Sequence, residues 1–505
     1  MGFDWDITKK DNINGTFGYD YFGNSNAGSL NRESILSDSN GNTLSDLNDV
    51  INTSNKSHEY AYDFDLGYTK KFKKEDQELE ILFNSSNGYL NDYYEQAQKH
   101  LPSDTIFDSS HGNNPGIENE TNFEVNYTQP LGEDAVFETG AKMVLDHINS
   151  ISDVYQLNTE SDNFIYDTSK SSSMDGRRTV SGAYLSFTFK LFDWLGIKAG
   201  LRDEYTDENV VFSNSGHVSL TPYNIIVPSV VLSHKFKNKQ LLKISYTHRV
   251  ERPEYDDMNP FLNAADPKNI TTGNPHLRPE IGDKIELGYN QTFKNGLTIT
   301  PTLFYRGNKD DIQWYVNYYP TYTIGDSTYT NVAISTRENI GREDNYGLSL
   351  FASIPATKKI SLRANINCFQ RYIYTGMASG GDIHGFAYRT NMNVAYQLNN
   401  SLIIEMTGNF NSRKINAQGT MPATTTYSFA FRKQLFHKKG SIAITATNFF
   451  DKYINQKTKL TGENFTISNT RQLPYRSFGI NFTYKFGKME FKEVEDINLT
   501  CPPGN

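Results

Sequence analysis

Apolar and polar residues alternate with period two along much of the chain. From position 60 the even residues are Tyr60, Tyr62, Phe64, Leu66 and Tyr68, while the odd ones are Ala61, Asp63, Asp65, Gly67 and Thr69. The split recurs at Phe123/Val125/Tyr127 against Glu124/Asn126 and at Leu185/Phe187/Phe189 against Ser186/Thr188/Lys190. It recurs again at Leu242/Ile244/Tyr246 against Lys243/Ser245, and at Ile285/Leu287/Tyr289 against Lys284/Glu286/Gly288. It is cleanest near the end, where Phe478, Ile480, Phe482, Tyr484 and Phe486 face away from Gly479, Asn481, Thr483 and Lys485. Period two predicts β-strands with one apolar and one polar face. A soluble sandwich shows the same pattern, so the connections must decide.

Short polar turns fall near 9–14, 72–77, 129–133, 191–195, 236–240, 293–296, 354–358, 398–401 and 436–440. One longer connection separates each pair, at about 23–57, 86–118, 150–178, 207–224, 251–280, 306–341, 375–383, 413–422 and 451–474. Strict alternation of short and long connections is the pattern of an up-and-down barrel with short periplasmic turns and long extracellular loops. Nine turns and nine loops make 18 connections and hence 19 strand arms, the first a stub around Phe3–Thr8. The expected fold is therefore all-β: an antiparallel up-and-down transmembrane barrel with 18–19 of about 22 strands. It would span residues 1–487, with a tail at 488–505. Bacterial single-chain barrels have an even strand number, so the odd count predicts further strands upstream. That also fits the lack of a basic and then apolar leader at Met1–Trp5.

Composition agrees once the alternation is seen. Hydrophobic residues are 37% of 505 and the mean hydropathy is −0.60, because only every second strand position need be apolar. No apolar run approaches the about 18 residues of a membrane helix. Aromatics, with 32 Tyr and 32 Phe, disfavour disorder. The net charge, 49 − 58 = −9, argues against a nucleic-acid partner, which calls for a basic face.

Chemistry-bearing motifs are sparse. Cys368 and Cys501 make neither a disulfide framework nor a zinc ribbon. The ten His residues show no metal-ligand spacing, so no metal or cofactor is expected. There is no nucleophile elbow or phosphate loop. His147, His217 and His248 reach the rim by parity or loop position without a recognisable partner set, so the chain does not read as an enzyme. The stretch Asp38–Asp49 resembles a calcium loop, but Thr43 replaces the required Gly and Asp49 the final Glu; it reads as a polar surface loop. The connection 306–341 carries Trp314, Tyr315, Tyr318, Tyr319, Tyr322 and Tyr329. These are candidates for ligand contact, because exposed aromatic patches mark binding. The other reading is a strand extension or an aromatic girdle.

One stretch is specific. Tyr246–Tyr289 reads YTHRVERPEYDDMNPFLNAADPKNITTGNPHLRPEIGDKIELGY. It spaces Arg252-Pro253, Asn259-Pro260, Gly273-Asn274-Pro275, Leu277 and Pro279-Glu280 before a strand ending in Gly288-Tyr289. This set resembles the TonB-dependent outer-membrane receptors, most closely the β-barrel group common in the Bacteroidetes. The resemblance implies an outer-membrane location in contact with lipid. It further implies a plug domain, a TonB-type energy transducer acting through it, and uptake of a scarce small-molecule, peptide or glycan ligand. The sequence departs from the family in carrying no plug and no TonB-contacting segment, and in the tail beyond Phe486. A passive pore or a structural, adhesive barrel is the alternative. Locally, Pro253 ends ladder pairing for want of an N–H, and Gly273-Asn274-Pro275 makes a turn. Parity places Arg249, Glu251, Glu280, Lys284 and Glu286 on the lumen side, where they form a ladder or meet a plug, contact a ligand directly, or only set loop geometry and solvate the lumen.

Overall fold

The computed structural model describes residues 1–486 apart from 38–42, 214, 215, 220, 239, 265–267, 325, 326, 377–381, 463 and 464. The tail 488–505 and the first part of the calcium-like loop, Asp38–Asn42, lie outside the described residues. Among the described residues, eighteen successive antiparallel pairings join nineteen strands into one meander, from Gly2–Asp6 to Ser477–Tyr484. Each strand pairs with its sequence neighbours in the meander, the topology that alternating turns and loops predict.

The register turns local alternation into continuous bands. One row runs Phe189, Ile197, Leu232, Ile244, Leu287, Leu303 and Leu348 across seven strands. Ile244, Leu287, Leu303 and Leu348 on this row are exposed, as a face meant for an apolar surrounding should be. The Phe17–Phe64, Tyr19–Tyr62 and Tyr21–Tyr60 ring pairs lie 5.1–5.2 Å apart on the same face, and Tyr60 meets Tyr89 at 6.4 Å. From Ile13 to Tyr21 this apolar band is nine residues long, matching the about 9–11 residues of a transmembrane strand.

The long connections depart from expectation. Most are not loops. Asp11–Ser37 and Thr43–Lys71 are unbroken strands of 27 and 29 residues, and Glu78–Leu101 and Thr105–Pro130 pair almost to their tips. The stretch 306–341 contains the hairpin Ile312–Ile324/Ser327–Asn339, and 451–474 the hairpin Tyr453–Thr461/Thr466–Pro474. Above the apolar band both faces of a ribbon meet water. Backbone ladders persist there without an apolar period, so Asn/Ser/Thr-rich strands look like loops in sequence. The connection 252–279 is the exception: its described residues form one helical turn, Tyr255–Met258, and one three-residue strand, Asn269–Thr271, parallel to Ala333–Ser335.

Candidate functional site

The irregular connection after Leu241–Glu251 folds back over the polar face of the sheet. Arg252 enters first: its guanidinium donates to Glu204 Oε2 at 2.7 Å and to Thr206 Oγ1 at 2.8 Å. The Pro253 carbonyl accepts from Arg178 at 3.1 Å. Arg178 also donates to Asp146 at 3.0 Å and lies 4.9 Å from the centre of the Tyr255 ring. Glu208, almost fully buried beside Arg178 at 3.9 Å, has its pKa raised, chiefly by burial. Charges paired and buried in this way are costly to break on one side only. They fix the register of the connection on the wall.

The family dipeptides have mechanical reasons here. The helical turn is clamped by Gly273 N–H to Asn259 O at 2.8 Å and Asn274 N–H to Asp257 O at 2.7 Å. A Cβ on Gly273 would stand 2.5 Å from Asn259 O and 2.6 Å from Asn259 N, so only glycine fits. The Asn259 side chain accepts from Phe261 N–H across Pro260 at 3.1 Å, and that of Asn274 from His276 N–H at 3.0 Å across Pro275. Leu277 is the apolar anchor. It is 1% exposed in a cluster with Met174, Val210, Phe212, Tyr255 and Met258, a burial worth about 1.5–3 kcal/mol. Pro279 precedes the restart of the ladder at Glu280.

Glu280 is held on the polar face at the rim. Its carboxylate accepts from Ile312 N–H at 2.6 Å and Asn308 Nδ2 at 3.1 Å. Burial, with Asp311, Glu251 and Glu343 nearby, pushes its pKa up to about 7. Asp311, 7% exposed, is likewise pushed up to about 6 by burial and then by Glu343. Gln313 donates to Asp311, and Arg371 pairs with Glu343. Among the other polar-face charges, Lys284 pairs with Glu286 at 2.7 Å, Glu251 stands opposite Glu280 and Arg249 opposite Gly282.

The aromatic residues of 306–341 do not form one platform. Trp314 is exposed beneath the Arg337 guanidinium, 4.4 Å away, and Arg337 holds Asp257 at 2.8 Å. Tyr315, on the other face, packs against Ile340, Ile373 and Ala417. Tyr318 stacks on Phe465 at 6.2 Å and donates to Asn331. Tyr319 is exposed and meets Tyr322 at 5.4 Å, while Tyr322 and Tyr329 pack on a small core around Ile270 and Val332. The hairpin is therefore docked onto its neighbours. Gln418 completes the docking, its amide bridging Val316 N and O at 2.7 and 2.8 Å. His147 and His248 each meet one aspartate, Asp175 at 3.1 Å and Asp283 at 2.8 Å, and the side chain of His217 lies outside the described residues. No group of three or more metal-ligating side chains occurs among the described residues.

Sequence reasoning missed Arg178, Asp146, Glu204 and Glu208 as partners of the motif. Their neighbours are largely polar too, as in Arg177-Arg178-Thr179 and Asp207-Glu208-Asn209, so period two does not single them out, and nothing local says that a connection up to about 75 residues downstream lands on them.

A strand meander with an apolar band of bilayer length on one face, charges on the other and a connection folded over the charged face defines a transmembrane β-barrel. The chain belongs to the outer membrane protein beta-barrel family, whose profile matches residues 70–484. Its place is the outer membrane. Comparison with curated protein sequences finds no significant relative. Among solved structures the fold is similar to BauA, the ferric preacinetobactin receptor from Acinetobacter baumannii, with TM-score 0.56, 12% identity and coverage of 96% of this chain and 77% of that one. It is similar to the copper transporter OprC, with TM-score 0.55, 11% identity and coverage of 94% and 80%. It is also similar to the ferric yersiniabactin uptake receptor FyuA from Yersinia pestis, with TM-score 0.53, 12% identity and coverage of 96% and 77%.

Proposed function

We propose that this chain is the barrel portion of a TonB-dependent outer-membrane receptor that takes up a scarce solute, an iron–siderophore or another nutrient. The observation that carries the reading is the connection 252–279, held over the charged face by Arg252–Glu204, Arg178–Pro253 and the Leu277 anchor. A wall that shields its own charged face in this way suits a gated receptor better than an open channel. The receptor-type fold neighbours support it. In this reading the partners are a plug domain, a TonB-type transducer acting through the plug, and a solute captured from outside, while residues 1–487 form the barrel. Arg249, Glu251, Lys284 and Glu286 line the wall that the plug would face. The test is uptake of labelled solute by cells expressing the protein, with and without the proton gradient. Gradient-dependent uptake is expected. Persistent ion conductance of the purified protein in planar bilayers, with uptake that ignores the gradient, would establish the passive-pore alternative instead.

A further inference from the structure

Above the apolar band, the extensions of five adjacent strands form a half-open cavity of about 470 Å³, bordered on one side by the tip Phe261–Ala264 of the folded-back connection. The volume lies within the about 300–1,000 Å³ range of small-molecule sites.

The lining has a consistent chemistry. Its polar-face residues follow the register. Asn26 stands opposite Asn55 and Asn55 opposite Tyr94, while Thr53 is opposite Gln96 and Gln96 opposite Ser110. Asn24, Asn114 and Asn263 add further amides. A side-chain amide offers two donors and an acceptor, and a hydroxyl offers both roles. Such a lining complements a ligand whose own groups both donate and accept. The Oδ1 of Asn114 makes no hydrogen bond within the protein and is shielded from solvent, so a ligand donor meets it once the amide turns toward the cavity.

Two lysines, Lys56 and Lys170, face three carboxylates, Asp92, Glu95 and Asp108, so charge is close to balanced, and it is partly spent. Lys170 donates to Gln156 at 2.7 Å, and Asp108 accepts from Gln98 at 3.0 Å and Gln156 at 2.5 Å. Among the described residues no arginine, histidine or cysteine lines the cavity. That omits the bidentate groups that hold carboxylates or phosphates and the soft ligands that hold transition metals.

Two aromatic rings complete it. The place where a Cβ of Gly112 would sit is 2.3 Å from Tyr94 Cε1, so the Tyr94 ring lies across the bare glycine backbone against the wall. Phe261 approaches from the connection tip.

We propose that this cavity binds a neutral, hydroxyl-rich oligosaccharide, a sugar ring resting on Tyr94 among the asparagine amides and bordered by Phe261. The inference rests on the receptor reading above and names its ligand class. Sugar C–H faces suit the negative face of an aromatic ring, and a ring of hydroxyls suits amides that would otherwise hold water.

The test is isothermal titration of the detergent-solubilised full-length protein with maltotriose, cellotriose, xylotriose and mannotriose, and separately with an anionic ferric tris-catecholate. At least one trisaccharide should bind at submillimolar concentration. Tyr94→Ala and Asn114→Leu should each weaken it about tenfold or more. Tyr94→Phe, which keeps the ring, should bind like the wild type, and heat-modifiable gel mobility confirms folding of all three. Failure of every trisaccharide at millimolar concentration overturns the inference, as does binding that Tyr94→Ala leaves intact. If the ferric chelate binds while the sugars do not, the ligand class is wrong and the receptor reading stands. If, in addition, cells show no gradient-dependent uptake of any solute, both fall.

Discussion

Gly273→Ala is a single-methyl test of why the rim connection holds its shape. The added Cβ would sit 2.5–2.7 Å from Asn259 O, Asn259 N and Asp257 O, all backbone atoms that cannot rotate away. The helical turn Tyr255–Met258 must shift, and the bonds Gly273 N–H to Asn259 O and Asn274 N–H to Asp257 O are the first to lengthen. Two such bonds at about 1 kcal/mol each, with about 1 kcal/mol or more of overpacking, give about 3 kcal/mol of lost local stability. That is about a hundredfold more frequent opening. Hydrogen-exchange mass spectrometry of the protein in detergent reads this directly. Amides between 253 and 280 should lose protection by that factor, while those of the flanking strands Leu241–Glu251 and Glu280–Thr292 keep theirs. Gly376→Ala is the control, since a Cβ there meets nothing within 4 Å. If Gly273→Ala exchanges like the control, steric exclusion is not why glycine occupies this position.

Two further outcomes follow from the faces and from the buried carboxyls. Leu303→Arg, at a position 56% exposed on the apolar band, should cost about 2–4 kcal/mol in a bilayer, whereas Thr302→Arg on the polar face should be nearly neutral. Unfolding by denaturant in lipid vesicles measures both, and the reverse ranking would invert the assignment of faces. The raised pKa values of Glu280 and Asp311, about 7 and about 6, mean that the folded protein holds these protons more tightly than the unfolded chain does. Their contribution is therefore most favourable at pH 4 and below, and it is lost as pH rises toward 7. The loss for Glu280 is about 1–2 kcal/mol after allowing for water at the rim. Hydrogen exchange of the hairpin Ile312–Asn339, corrected for intrinsic rates, should show less protection at pH 8 than at pH 5. Glu280→Gln should flatten that dependence, and an unchanged pH slope in the variant would remove Glu280 from the account.

The nineteen-strand meander was legible because a bilayer imposes period two on every membrane-crossing segment, and short turns concentrate charge and glycine, as in Phe293–Gly296. The ribbons beyond the bilayer were not legible. Segments such as Asn24–Asn31 are paired strands whose two faces meet water or polar neighbours, so no apolar period remains to read. The motif residues were visible as a set, but their reasons lie in distant contacts. Leu277 packs on Met174 and Phe212, and Arg252 lands on Glu204 and Thr206. The strand extension was one of the two readings open for the aromatic residues of 312–329, and the hairpin Ile312–Ile324/Ser327–Asn339 is such an extension, but their separate settings could not be read. A tyrosine count cannot separate Trp314 and Tyr319, which are exposed, from Tyr315, which Ile340, Ile373 and Ala417 partly cover.

The unbroken strands carry a mechanical consequence. Asp11–Ser37, at about 3.3 Å per residue, is a shaft of roughly 90 Å, laddered to its neighbour through the bilayer and on beyond it. A ribbon with no interruption in its hydrogen bonds has no hinge at the membrane surface, so it cannot fold down as a flap. The connection 252–279 is fastened instead by side chains, a few turn bonds and one three-residue ladder, Asn269–Thr271 on Ala333–Ser335. In the receptor reading proposed above, movement that admits or releases a solute falls to this tether, while the tall strands stand still as its frame.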